Sequence, residues 1–379
     1  MTREQLLLDL YRAYKDARRH KRGKRYQLEF EYDLETNLIA LRDELYERRY
    51  SPRPSTCFII HDPKMREVFA AAFRDRIVHH LFYNYTYRIF ERTFIHDSYS
   101  CLKGRGTHFG IARLRHHILN ERRNHSRECH VLKIDIRGYF MHIDRSRLLA
   151  LCRETLGRSG GIAAEDRDFV DYLLCRIVEV DPTRDCVRIG SEEEWALLPR
   201  GKSLFSSPEG CGLPIGNLSS QLFSNIYLNV FDQYCKRVLG ARHYGRYVDD
   251  AYFVSCDRVF LLSLVPCVRE FLRERLGLEV SAEKLCVADV RRGVEFLGVY
   301  LLPYRTYIAN GALRRMRRKI LSLRVEDVSR LRGSLNSYLG VLSHCDSFRL
   351  RRLLLSRLPR LCGRGVFTAD WLRFLPCCG

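Results

Sequence analysis

The apolar positions of the first fifty residues recur at helical spacing, with Leu6, Leu7, Leu10 and Tyr11 in one group and Leu38, Leu41 and Leu45 in a later one. A basic run from Arg18 to Arg25 separates the groups, and Tyr50-Ser-Pro-Arg-Pro54 ends the pattern. The period returns between Glu67 and Glu91, where Val68, Ala71, Ile77, Leu81 and Tyr85 form an apolar face and predict one long helix. Residues 130–136 are β-branched and apolar enough for a buried strand. Helices are predicted near 145–156 and 164–178, over Asn217–Leu239 and over Leu261–Leu276. The stretch 181–214 is rich in Gly, Pro and Ser and reads as a hairpin-bearing connection. Tyr244–Ser255 reads as two short strands meeting at a pair of acids, and Gly277–Val280 and Gly293–Leu302 read as further strands. Beyond residue 305 the leucines return to helical spacing, and no internal repeat is visible.

Composition narrows the class. The chain has 379 residues, of which 46% are hydrophobic and 29% charged, so it can bury a core and is neither disordered nor fibrous. Two or three domains are expected at this length. No apolar run approaches the roughly 18–20 residues that cross a bilayer. The start, Met-Thr-Arg-Glu-Gln, lacks the layout of a secretory signal, so a cytosolic setting is expected. Fifteen cysteines are scattered through apolar stretches without a Cys-x-x-Cys pair, which favours small core residues over a zinc site or a disulfide framework. The Cys377-Cys378 pair is assigned no role.

Charge says more. There are 65 Lys and Arg against 45 Asp and Glu, a net +20, and 55 of the basic residues are arginine. A GC-rich genome would account for arginine in place of lysine but not for the excess of positive charge. Arginine grips phosphates with a planar fork and stacks on bases, so the expected partner is nucleic acid rather than a membrane surface. Residues 305–364 hold 15 Lys/Arg and three acids, more than half of the net charge in one helical stretch. Solvated basic helix faces are common, but this concentration favours a helical nucleic-acid-binding segment.

Three acids carry the candidate chemistry. Asp249-Asp250 follows Tyr247-Val248 between two strand-like runs. Adjacent carboxylates raise each other's pKa, although an Asp-Asp pair at a hairpin tip is often merely solvated. Asp135 lies in the apolar run Val131–Ile136, where a carboxylate is costly unless paired or bound to metal. Brought together, the three make a hard oxygen site suited to Mg²⁺. Two such ions about 4 Å apart can activate an attacking hydroxyl and stabilise a leaving pyrophosphate.

Asp135-Ile-Arg-Gly-Tyr-Phe140 and Tyr247-Val-Asp-Asp250 resemble the two metal-binding motifs of reverse transcriptases. Between them, Gly212-Leu-Pro-Ile-Gly-Asn-Leu-Ser-Ser-Gln221 resembles the motif that packs on the templating base pair. Lys64-Met-Arg66, Asp75-Arg-Ile-Val78 and Ser98–Thr107 resemble the fingers, and Glu283-Lys284 and Glu295-Phe-Leu-Gly298 the later palm motifs. The resemblance covers about residues 58–305 in the family's order, which is more specific than any single motif. Where most reverse transcriptases carry Gln-Gly and then Ser-Pro, this chain has Ile215-Gly216 and Ser220-Gln221. In that detail, and in Gly293-Val-Glu-Phe-Leu-Gly298, it resembles the enzymes of diversity-generating retroelements, bacterial or phage-encoded.

The resemblance implies an α+β, right-hand polymerase fold. Its parts would be an N-terminal helical extension (1–57), fingers and an antiparallel-sheet palm (58–305), and a short basic helical thumb with a C-terminal tail (306–379). It implies RNA-directed DNA synthesis with dNTPs on a template RNA and a cDNA primer, error-prone opposite template adenines. Two Mg²⁺ ions, with Mn²⁺ as a substitute, would sit on Asp135, Asp249, Asp250 and the Ile136 carbonyl. Lys64 and Arg66 would hold the triphosphate, Phe140 would exclude a 2′-hydroxyl, and Ile215, Gly216 and Gln221 would border the nascent pair. Lys284 would protonate the departing pyrophosphate. A small basic accessory protein is the implied partner. The competing readings are a retron or group II intron-type reverse transcriptase, and a non-catalytic RNA-binding scaffold. An intron enzyme would carry a longer region after the palm, and a scaffold has no need of three acids.

Overall fold

The computed structural model describes residues 1–19, 23–61, 64–124, 126–322, 328–356 and 365–376. The predicted N-terminal helices are α1 (Arg3–Arg18), α2 (Arg25–Tyr32) and α3 (Leu34–Tyr46). The Thr2 hydroxyl caps α1 by accepting the Gln5 N–H, which satisfies one of the orphan donors of the first turn. Leu6, Leu10, Leu38, Leu41 and Leu45 are buried, as their spacing predicts, with α3 packed on α1 and α1 on the helix α4 (Phe73–Glu91).

The long helix expected from Glu67 starts later. Residues 66–70 form a strand, β2 (Arg66–Ala70), paired antiparallel with β1 (Ser55–Ile60), and only Phe73 onward is helical. Alternate residues of β2 are buried, Glu67 and Phe69 inward, so a period of two precedes the period of 3.6 without a break in apolarity. The expected hairpin in 181–214 is absent: β4 (Cys186–Arg188) instead pairs parallel with β1 and completes a three-stranded layer.

The central sheet has the order β5-β6-β3-β7, all neighbours antiparallel, built from β3 (His130–Asp135), β5 (Tyr244–Tyr247), β6 (Asp250–Ser255) and β7 (Cys286–Asp289). It is buried on both faces. Leu132, Ile134 and Phe253 face one core with α4, α7 (Arg145–Arg158), α8 (Ala164–Val178), α10 (Leu218–Gln233) and α11 (Arg258–Leu276). Val131, Tyr252 and Val254 face a second core, with α5 (Thr107–Glu121) and the C-terminal elements. Alternation across the pleat thus makes β3 read as a continuous apolar run. Between β3 and α7 lies the single turn α6 (Tyr139–His142); between β4 and α10 lies the short α9 (Glu192–Ala196).

Residues 277–280 form no strand, making only an isolated bridge between Val280 and Ile136. The Gly293–Leu302 segment is a hairpin, β8 (Val294–Phe296) and β9 (Val299–Leu301), extended by β10 (Thr306–Ile308). The C-terminal part is mainly helical, α12 (Asn310–Leu321), α13 (Val328–Ser343) and α14 (Phe348–Ser356), and closes with an unexpected hairpin, β11 (Gly365–Phe367) and β12 (Phe374–Pro376). Part of the basic run after Arg18, together with Arg324, Glu326, Asp327, Arg357, Arg360, Arg364, Cys377 and Cys378, lies outside the described residues. Among the described residues no helix is long and apolar enough to cross a membrane.

Candidate active site

Strand β3 ends on Asp135 and β6 begins on Asp250, and the two are direct partners in the antiparallel register. Asp249 occupies the turn between β5 and β6, and its carbonyl accepts the Ile136 N–H at 3.3 Å. On the other side the Asp135 carbonyl accepts the Ser281 N–H at 2.8 Å. The end of β3 is therefore clamped from both flanks, which sets all three aspartates at one end of the sheet.

Electrostatics there are tense. Burial pushes the Asp249 carboxyl up to about 6, aided by the negative charges of Asp135 and Asp250. Asp250 is also raised, chiefly by burial and further by Asp135, against the opposing charges of Lys133, Lys284 and Lys64. The Lys284 ammonium donates to both carboxylate oxygens of Asp135 at 2.6 Å. Burial pulls Lys284 down, but its hydrogen bond to Asp135 and the surrounding negative charge leave its pKa raised.

With Lys284 seated there, no group of three or more His, Cys, Asp or Glu side chains among the described residues is gathered to hold a cation. The donor chemistry nonetheless fits a hard divalent ion. Three carboxylates repel one another at a buried strand end, and among the described residues the ammonium that hydrogen-bonds to one of them is that of Lys284, on Asp135. Asp135, Asp249 and Asp250 are the side chains that would hold it.

A second set of contacts joins β2, the segment after β3 and the loop before α10. Phe140 and Ile215 are half-buried against a small apolar cluster of Cys57, Phe69, Met141 and Leu204. Backbone bonds fix this junction: the Phe69 N–H donates to the Ile215 carbonyl and the Leu213 N–H to the Phe140 carbonyl, each at 2.8 Å. Gly216 has φ +129°, and a Cβ there would stand 2.6 Å from the Phe69 carbonyl oxygen, so only glycine lets β2 approach this closely. Lys64 is exposed, yet near enough to Asp250 to lower its pKa. Arg66 opens β2 and Gln221 lies on α10; both are exposed and join neither group of contacts among the described residues.

Glu67 and Asp232 are among the buried acids that the sequence did not announce. Glu67 points inward from β2 and accepts the Ser203 hydroxyl at 2.9 Å and the Leu204 N–H, tying the 200s loop to that strand. Asp232, on α10, pairs with Arg246 on β5, and both side chains are fully buried. Arg246 Nε and Nη2 each donate to one Asp232 oxygen at 2.7 Å, the Tyr244 hydroxyl donates to the same carboxylate at 2.6 Å, and Arg246 Nη1 donates to the Val248 carbonyl at 2.7 Å. Val248 has φ +56°, a left-handed conformation that a β-branched residue resists. The buried guanidinium thus holds the strained turn that presents Asp249. The signal in the sequence was a lone arginine on the buried face of a strand, sharing that face with Tyr244.

A four-stranded antiparallel sheet carrying facing carboxylates at one end, flanked by a small β layer and basic helices, is the palm of a right-hand polymerase. Residues 61–301 match the family described as reverse transcriptase (RNA-dependent DNA polymerase), and the chain belongs to that family. No curated protein matches the chain. Among solved structures, apo telomerase from Candida tropicalis aligns over 82% of this chain and 59% of its own, at 10% identity and a TM-score of 0.50. Telomerase from Candida albicans, solved with a fragment of telomeric RNA, aligns over 83% and 57%, at 13% identity and a TM-score of 0.46. The chain therefore spans less than three fifths of those telomerases, and the likeness to the Candida tropicalis structure is one of fold.

Proposed function

We propose that the protein is the reverse transcriptase of a diversity-generating retroelement, copying a template RNA into cDNA with frequent misincorporation opposite template adenines. The observation that carries this reading is Ile215, where most of the family has glutamine, packed with Phe140 into one small apolar cluster. An isoleucine there offers the nascent pair shape without a hydrogen bond, and losing one polar contact weakens discrimination by about 1–3 kcal/mol. That is enough for frequent errors and small enough for synthesis to continue. In this reading residues 1–57 are an N-terminal extension, 58–305 the fingers and palm, and 306–379 the thumb on the template–primer duplex. The setting is the cytoplasm of a bacterium, from a bacterial or phage gene, with a small basic accessory protein as partner.

Asp135, Asp249 and Asp250, with the Ile136 carbonyl, would hold two Mg²⁺ ions. Bound there, the ions supply charge neutralisation and a more acidic primer hydroxyl. Lys64 and Arg66 hold the triphosphate of the incoming dNTP, where negative charge develops. Phe140 stacks below the sugar and fills the space of a 2′-hydroxyl. Lys284, kept protonated by its carboxylate neighbours, leaves Asp135 and donates to the departing pyrophosphate. Gly216 and Gln221 border the nascent pair.

Sequencing cDNA made by wild type and Ile215→Gln on one adenine-containing RNA template tests the subtype. The variant should misincorporate less opposite adenine, with smaller changes opposite the other bases. Equal adenine error rates in both would remove position 215 from fidelity and the subtype reading with it.

A further inference from the structure

The outer side of the junction between α1 and α4 holds an open cavity of about 620 Å³, within the range of small-ligand sites, and none of the residues of the carboxylate site line it. Its walls are tyrosines and cations: Tyr11 and Lys15 from α1, Tyr83, Tyr87 and Arg88 from α4, and Lys103 from the following loop. The inward face of α1 is spent on the core through Leu6, Leu10, Ala13 and Tyr14, so these outward residues are not needed to hold the helix down.

The aromatic wall is built rather than incidental. Tyr83 and Tyr87 stack with centroids 4.6 Å apart and planes 21° from parallel. The Tyr87 ring is locked at its far end, where its hydroxyl donates to Glu91 at 2.5 Å and accepts the Lys103 N–H at 3.1 Å. Lys103 Nζ lies 5.1 Å from the centre of the Tyr87 ring and Lys15 Nζ 5.0 Å from that of Tyr11, so both ammonium groups rest on aromatic faces rather than on carboxylates. Arg88 is exposed. The one acid in the lining, Asp16, is already engaged by Asn84 at 3.1 Å and Arg19 at 3.1 Å. Rigid π faces interleaved with cations that pair with no carboxylate are what an unpaired base and its flanking phosphates require.

We propose that this cavity is a second nucleic-acid site, which seats an unpaired base of single-stranded RNA against Tyr83 while Lys15, Arg88 and Lys103 hold the adjoining phosphates. The choice of RNA among polyanions rests on the polymerase reading. The site would anchor a part of the RNA that is not being copied, leaving the palm free for the template–primer duplex.

The test uses the full-length protein with its polymerase cleft saturated by a preformed RNA–DNA primer–template, and follows the anisotropy of a labelled single-stranded 12-nucleotide oligouridine RNA. Tyr83→Ala should weaken binding by roughly 5- to 150-fold, the range for loss of one stacking partner, whereas Tyr83→Phe should bind as wild type. Lys15→Ala/Arg88→Ala changes two surface residues and keeps the fold. It should weaken binding and make the log K against log salt slope shallower by about 1.4, for two lost phosphate contacts on a single strand. Extension of the pre-annealed primer should be unchanged in every variant. Wild-type affinity and slope in the double variant would overturn the proposal. So would displacement of the RNA by uridine monophosphate at the affinity of the strand, which would make the cavity a mononucleotide pocket. Equal losses for a polyglutamate probe would overturn the choice of RNA. If wild type fails to extend a primer yet shows these losses, the polymerase reading fails and the site stands.

Discussion

Asp232→Asn should destabilise the protein more than any change to its surface ion pairs. Asp232 and Arg246 are both fully buried, and the guanidinium gives two charge-assisted bonds of 2.7 Å to the carboxylate. Removing the negative charge leaves a buried guanidinium without a counter-charge, at a cost of about 3–5 kcal/mol. Arg153 and Asp171 make the same two-pronged contact, at 2.7 and 3.0 Å, but their side chains are 51% and 42% exposed. Breaking that pair with Asp171→Asn should cost no more than about 1 kcal/mol. Urea unfolding of both variants beside wild type measures the contrast. A third variant separates stability from positioning. Asp232→Leu combined with Arg246→Met removes both charges, so most of the lost stability should return, whereas primer extension should stay impaired because the Val248 carbonyl has lost its donor. Similar losses for Asp232→Asn and Asp171→Asn, or wild-type extension by the double variant, would refute the reasoning.

Two further outcomes follow from other parts of the molecule. Phe140→Ala should let the enzyme incorporate ribonucleotides, read as extension with rNTPs relative to dNTPs. Unchanged selectivity would reduce Phe140 to packing against Phe69 and Met141. His117 is buried among Asp97, Arg113 and Tyr252, and burial pushes its pKa down to about 3 from 6.5. The unfolded chain therefore binds a proton that the folded one refuses, so this group withdraws stability as pH falls from about 6.5. Urea unfolding at pH 7 and pH 5 should show a smaller acid loss in His117→Gln than in wild type; equal losses would contradict the assignment.

Much of the site was legible because its signals are local. Asp135 in an apolar run and Asp249-Asp250 between two strand patterns are visible in windows of six to ten residues, and the structure places Asp135 and Asp250 opposite each other. What stayed hidden is non-local. β2 alternates for only five residues before the helical period of α4 begins, so the two periods merge into one apolar stretch. β4 pairs with β1 across more than 120 residues, and no turn signal announces a parallel partner. The hairpin read into 181–214 was therefore a misreading of turn residues that serve a crossover. Arg246 and Glu67 look like ordinary charged residues until the fold buries them and supplies their partners. The basic concentration beyond residue 305 did mark a helical segment, but the closing β11–β12 pair is held by non-local contacts, such as the Asn336 side chain bonded to the Phe374 backbone.

Primer extension on an RNA template with a DNA primer, dNTPs and Mg²⁺, comparing wild type with Asp249→Ala, tests the central claim most directly. Asp249 lies in the turn between two sheet strands, and its carboxyl is raised by burial and by the two acids beside it. In the proposed function, affinity for RNA would come instead from the basic residues. The account predicts full-length cDNA from wild type and none from Asp249→Ala, with RNA binding retained by both. Extension by the variant at the wild-type rate would contradict it.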